Sequence, residues 1–290
     1  MRVAGFVFIR NAIKFKYPVK ESILSLLPLC DEVIVSIGNS EDDTEALIRS
    51  IGSPKIRIQH TIWDDSLKEG GRVLAVETDK AFDAITAGAD WCIYLQGDEV
   101  LHEADYPAIR AAMEQWKDDP RVEGLLFKYK HFYGSYEYIG DSRRWYAHEI
   151  RIIRQDPAIR SYRDAQGFRK HGRKLNVKLI DAYVYHYGWV RDPREQYQKH
   201  LDFEKLYGGD HVAKDISLQE LGGFDYSTID SLIKFTGTHP SSMQDLIARQ
   251  GWHFTADISK KNFNLKGWVL YYVEKYTGKR LWDYQNYKII

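Results

Sequence analysis

Three groups of residues in this chain have types and spacing suited to chemistry. The first is residues 90–99, which read Asp-Trp-Cys-Ile-Tyr-Leu-Gln-Gly-Asp-Glu. An apolar run that ends in adjacent acids brings carboxylate oxygens to the rim of a sheet, where Mg2+ and Mn2+ bind together with substrate phosphates. The Asp98-Glu99 pair also reads as the start of a solvated turn. The second group is Tyr185-His186-Tyr187-Gly188-Trp189. His186 is either a hydrogen-bonded core histidine at a strand end or an imidazole ligand for the same cation, and spacing decides neither. The third is a set of arginines: Arg10, Arg72, Arg143, Arg144, Arg151 and Arg154. A diphosphate needs its charge matched, which the guanidinium fork does with paired, directional hydrogen bonds. Arg72 follows Gly70-Gly71 at an expected helix start and is better placed for a phosphate than most of them.

The elements that must position these residues follow from hydrophobic periodicity. Short apolar runs at 3–9, 33–37, around Ile56 and Ile58, and at 91–95 read as strands. Helical spacing appears at 18–29, at 44–51 with Asp43 as its expected cap, after Gly70-Gly71, and at 105–116 with Pro107 in the first turn. This alternation predicts an α/β fold with a mostly parallel central sheet covered on both faces. Ligands of such sheets lie beyond the carboxyl ends of the strands, where Arg10, Ser36-Ile37-Gly38 and Gln96 to Glu99 fall. From Gly124 the pattern changes to alternating strands through Leu125, Phe127 and Tyr129, through His148, Ile150 and Ile152, and at 183–187. The sequence predicts a catalytic-type domain at residues 1–194 and, at 195–290, an aromatic-rich helical extension punctuated by Gly208-Gly209 and Gly222-Gly223.

Composition narrows the function classes. The 290 residues hold 41 Lys+Arg and 41 Asp+Glu, so the net charge of zero speaks against a nucleic-acid partner bound through its phosphate backbone. Two cysteines, Cys30 and Cys92, rule out a multi-bridge disulfide scaffold and suggest a reducing compartment. The apolar run at 3–9 is short for a signal-peptide core, and no stretch approaches the roughly 20 apolar residues of a membrane span. The expected address is the cytoplasm. Basic or aromatic patches leave room for peripheral contact with the inner face of the membrane. Aromatic residues make up 14% of the chain and concentrate after residue 130, where Trp145, Tyr146, Tyr187 and Trp189 are candidates either for stacking on sugars or for ordinary core packing.

Taken together, these residues resemble the inverting family 2 glycosyltransferases of the GT-A fold, in particular short bacterial members that build lipopolysaccharide or capsule. The resemblance is carried by Arg10-Asn11, by Asp31 to Ser36, by Gly38 to Thr44, by Gly71-Arg72 and by Trp91 to Glu99. It covers about residues 1–110 and returns at 185–189. It implies a nucleoside diphosphate sugar as donor, with a UDP-sugar preferred, a glycan or other hydroxyl acceptor, and Mn2+ or Mg2+ as cofactor. It also implies site residues. Arg10, Ser36, Gly38, Asp42, Asp43, Arg72, Gln96 and Gly97 would bind the nucleotide sugar, Asp98 and His186 the metal, and Trp145, Tyr187 and Trp189 the acceptor. Asp164 would be the catalytic base, with Glu149 in reserve. The chain departs from the family pattern at Ser36, where an Asp contacts the nucleoside, and at Gln96, the first acid of the Asp-x-Asp motif. Two other readings remain: a non-catalytic carbohydrate-binding or scaffold protein, and a sugar nucleotidyltransferase. The latter lacks its glycine-rich basic signature after the first strand.

Overall fold

In the computed structural model, which describes residues 1–67, 69–206 and 223–290, strand β1 (Val3–Ile9) is buried at every position. Its alternate side chains enter two cores: Val3, Val7 and Ile9 on one face, Ala4, Phe6 and Phe8 on the other. A strand apolar on both faces is what a doubly covered sheet requires. β1 lies between β2 (Glu32–Ile37) and β4 (Trp91–Tyr94), with β3 (Ile56–His60) beyond β2, and all four run parallel. Helices α1 (Val19–Leu26) and α4 (Tyr106–Trp116) cover one face. Helix α3 (Arg72–Asp83) covers the other, and α2 (Thr44–Arg49) follows β2. The expected α/β class is therefore present, with helices on both faces.

One detail differs locally. Asp43 stands at the cap position of α2, but its exposed side chain makes no capping bond. Asp42 replaces it, accepting from the Thr44 amide at 3.1 Å and from the Lys14 amide at 2.8 Å.

The remaining strands make the sheet mixed. β5 (Glu99–Leu101) is a three-residue strand that periodicity does not reveal. Further along come β6 (Gly124–Tyr133), β7 (Ser135–Gly140) and β8 (His148–Ile153). Strands β9 (Ile159–Tyr162), β10 (Gly167–Lys170) and β11 (Arg173–Lys174) form a small sheet of their own. β8 joins β4 to β6 antiparallel to both. The long β12 (Asn176–Trp189) runs parallel to β6 and antiparallel to β5, so His186 is paired with His131 on one side and Glu99 on the other.

The C-terminal third is tied into this sheet. Position 194 falls inside helix α5 (Pro193–Leu206), β13 (Leu232–Lys234) pairs with β7, and β14 (Lys288–Ile289) pairs with β12. A helix at Leu265–Thr277 completes this region. Gly208, Gly209 and Gly222 lie outside the described residues. Two aromatic cores built around Phe132 and Tyr187, and around Tyr133 and Trp145, absorb much of the aromatic content. Cys30 and Cys92 are buried free thiols. Among the described residues, no helix is long and apolar enough to cross a membrane.

Candidate active site

A cleft of about 700 Å³ opens at the carboxyl ends of β1 and β4, the edge at which α/β sheets take their ligands. Arg10, Asn11, Trp63, Asp65, Gln96 to Asp98, Asp164, His186, Gly188, Trp189 and Lys199 are among the residues that line it.

On the β1 side, Asn11 turns the chain in the left-handed region (φ 56°) and is pinned there by the Glu41 amide, which donates to Asn11 Oδ1 at 2.7 Å. Arg10 then projects into the cleft, with Nη1 2.8 Å from Asp65 Oδ1 and its guanidinium 5.6 Å from the Trp63 ring centre. Trp63 is 8% exposed, and among the described residues its indole N–H has no hydrogen-bond partner. Gly38 makes room for this ring, because a Cβ there would lie 2.4 Å from Trp63 Nε1.

The acid pair divides. Glu99 is fully buried and grips Arg151 with both oxygens, at 2.7 and 2.8 Å, while Tyr129 OH donates to it at 2.8 Å. Asp98 faces the cleft, because the ladder between β5 and β12 carries its backbone alongside His186: the Tyr187 amide donates to the Asp98 carbonyl at 2.8 Å. Asp98 Oδ2 lies 3.8 Å from His186 Nε2 and 3.7 Å from Lys199 Nζ. Gly188 permits this approach, since a Cβ there would come within 2.5 Å of His186 Nε2 and 2.8 Å of Asp98 Oδ2.

Hydrogen bonding fixes the protons on the two histidines. His131 Nε2 lies 2.9 Å from the Tyr146 carbonyl, which only accepts, so that nitrogen carries hydrogen. Burial drives the His131 pKa well below the ordinary histidine value and leaves the ring neutral, so its Nδ1 is an acceptor. His186 Nδ1, 3.1 Å away, therefore donates to it. Burial lowers the His186 pKa as well, against the opposing pull of Asp98, and its Nε2 keeps a lone pair aimed at the cleft beside the carboxylate. Burial works against ionised Asp98, but His186, Lys199 and Arg191 outweigh it and hold its pKa below the usual aspartate value. Burial, reinforced by Arg191, pushes Lys199 down to about 7 while Asp98 pulls the other way.

An imidazole lone pair opposite a carboxylate suits a cation. Mg2+ and Mn2+ commonly take one or two protein donors and complete their shells with phosphate oxygens and water. Asp98 and His186 fit that demand, although among the described residues no group of three or more His, Cys, Asp or Glu converges.

Asp164 lines the cleft from the β9–β10 hairpin, between two residues with left-handed backbone, Arg163 (φ 57°) and Ala165 (φ 62°). Glu149 lies behind the cleft on β8 and is not among its lining residues. Burial pushes its carboxyl up to about 8 against the pull of Arg151, which keeps it protonated at neutral pH.

The other expected site residues are dispersed. Gln96 and Gly97 line the cleft. Ser36 is buried within β2 and Arg72 is exposed at the start of α3; neither lines the cleft, nor do Asp42 and Asp43. Arg143 pairs with Glu274, and Arg154 sits over Trp91. Of the aromatics, Trp189 lines the cleft. Tyr187 is 2% exposed, stacks on Phe132 at 4.7 Å and shares a hydrogen bond with His239 at 2.9 Å, so its ring is enclosed in core packing. Trp145 is likewise buried, stacked on His131 at 5.0 Å.

Sequence reasoning missed Trp63, Lys199 and Arg191. Trp63 stands in an aperiodic stretch after β3, and Lys199 and Arg191 belong to a polar region with no motif. Arg191 is nonetheless 1% exposed and braces the cleft floor, with its guanidinium donating to the Gly188 carbonyl and to the Phe15 carbonyl.

No protein-family description matches the chain, and no curated protein matches it in sequence. Solved structures similar to it include S. aureus TarS residues 1–349, at 15% identity and a TM-score of 0.40 over 71% of this chain and 65% of that one. Glucosyl-3-phosphoglycerate synthase from Mycobacterium tuberculosis, in complex with Mn2+, UDP and phosphoglyceric acid, is similar at 19% identity and a TM-score of 0.30, over 46% of this chain and 43% of that one. The mannosyltransferase PcManGT from Pyrobaculum calidifontis, in complex with GDP-Man and Mn2+, is similar at 17% identity and a TM-score of 0.31, over 43% and 34%. The chain thus spans less than two-thirds of the length of each, and the likeness is one of partial chain path.

Proposed function

We propose that this chain is an inverting glycosyltransferase of the GT-A type that moves a sugar from a nucleoside diphosphate sugar, preferentially a UDP-sugar, to a hydroxyl of a glycan acceptor. The observation that carries this reading is the meeting of Asp98, the His186 lone pair and Lys199 at the carboxyl end of β4, inside a cleft large enough for a nucleotide sugar.

Each residue has a task in this reading. Lys199 and Arg10 supply positive charge to the diphosphate, where charge grows as the leaving group departs. Trp63 offers an indole face and an unused N–H to the nucleoside. Asp98 and His186 would hold a Mg2+ or Mn2+ ion, whose contribution when bound is charge neutralisation of the leaving diphosphate. Asp164 takes the proton of the acceptor hydroxyl while that oxygen bonds to the anomeric carbon and the bond from that carbon to the diphosphate breaks, inverting the centre. General-base assistance of this kind contributes about 10²–10⁴ in rate. Trp189 borders the acceptor side.

A thermal-shift screen of nucleotide sugars with and without Mn2+ tests the reading. A metal-dependent rise in Tm that disappears in Asp98→Ala supports it, and equal shifts in the two proteins overturn the role given to Asp98. Binding without any turnover would return the chain to the class of carbohydrate-binding or scaffold proteins.

A further inference from the structure

Residues 265–284 play no part in the cleft, yet they carry apolar side chains that the fold leaves uncovered. In the helix Leu265–Thr277, Leu265, Val269, Tyr272 and Tyr276 follow one another at intervals of four, three and four and share one face. They are exposed by 82%, 57%, 43% and 78%. Just beyond the helix, Trp282 is 83% and Tyr284 60% exposed. The opposite side, half-buried through Leu270, Tyr271 and Glu274, holds the helix to the fold: Tyr271 OH donates to Asp141 at 2.9 Å, and Glu274 pairs with Arg143 at 3.2 Å. A surface helix usually carries polar residues on its outer face, and this one carries an apolar stripe there.

Charge selects the occupant of that face. The segment holds Lys266, Lys275, Lys279 and Arg280 against two acids, Glu274 and Asp283. Both acids are engaged by Arg143 and Arg280. Lys266 and Lys275 are exposed and flank the apolar stripe on its two sides, and Lys279 follows at its end. An apolar stripe edged by lysines, with tryptophan and tyrosine rings at its margin, matches the boundary between anionic headgroups and acyl chains. At 13 residues the helix is too short to span a bilayer and suited to lie in its surface.

We propose that residues 265–284 form a docking face for the surface of a bilayer containing anionic phospholipid. It places the chain at a membrane independently of what the cleft turns over.

Vesicle flotation of the full chain tests this, using phosphatidylcholine vesicles with and without phosphatidylglycerol. The wild type floats with the anionic vesicles and much less with the neutral ones. The triple substitution Leu265→Ser/Val269→Ser/Tyr276→Ser and the charge reversal Lys266→Glu/Lys275→Glu each weaken partitioning about tenfold or more, with Tm unchanged because the side chains are exposed. Trp282→Ala removes a blue shift in tryptophan emission that anionic vesicles cause in the wild type. A wild type that stays unbound, or variants that float equally well, would overturn the proposal. So would a wild type that self-associates without vesicles and loses only that property on substitution, since the face would then belong to a second copy of the chain.

Discussion

Asp98 and Glu99 are adjacent in sequence and sit in two centres built on opposite principles. Around Glu99, itself fully buried, the carboxylate is matched by two contacts to Arg151, one from Tyr129 and one from the Gln96 amide. Around Asp98 the match is loose, with partners at 3.7 and 3.8 Å and a histidine lone pair facing it across the open cleft. A closed network of buried charges fixes a structure, whereas an open one leaves coordination and hydrogen-bonding capacity for a ligand. Glu99 opens β5 and turns inward, while Asp98, the residue before that strand, turns toward the cleft.

Substitutions can break this contrast, and the largest expected effect is on the closed centre. Arg151→Met strands the Glu99 carboxylate in the interior, and denaturant unfolding should show a loss of about 3–5 kcal/mol. Asp98→Asn should do the reverse, keeping Tm near that of the wild type while sugar transfer falls about 10²–10³-fold in a donor-turnover assay. If both substitutions cost stability equally, the two centres are not different in kind.

A smaller effect concerns Glu149, which borders the closed centre. Its pKa in the fold, about 8, lies above the ordinary value of 4.5. The fold therefore keeps a proton that the unfolded chain releases, and the associated stability is complete below pH 4.5 and lost as pH rises through 8. Above pH 8 Glu149→Gln should resist denaturant better than the wild type, with the gap closing toward acid. A parallel pH profile for the two proteins would contradict this. The smallest effect falls on the open centre: Lys199→Gln should weaken diphosphate binding about tenfold, the worth of one charge-assisted contact, without moving Tm by more than a degree or two.

The comparison also explains what the sequence disclosed. β1, β2 and β4 were legible because strands buried on both faces read as unbroken apolar runs, and α1, α3 and α4 because their buried residues repeat at helical spacing. Asp98 was legible as an acid ending such a run. The fate of Glu99 was not, because its partner Arg151 lies 52 residues away on a strand whose placement depends on the whole antiparallel half. Lys199 was hidden for a similar reason: a lone lysine in a polar helix looks like solvent-facing charge until α5 is laid over the cleft. Tyr187 shows the converse, since a tyrosine beside the cleft-lining His186 alternates to the other side of β12 and into a core.

The proposed task of the open centre is to bind a nucleoside diphosphate through Asp98, His186 and Lys199. Calorimetric titration of UDP into the wild type and Asp98→Asn, each with and without Mn2+, tests it most directly. The expected result is saturable binding to the wild type that Mn2+ strengthens, and an Asp98→Asn protein of unchanged Tm in which the Mn2+ effect is gone. Equal binding to both proteins, or none to either, would contradict it.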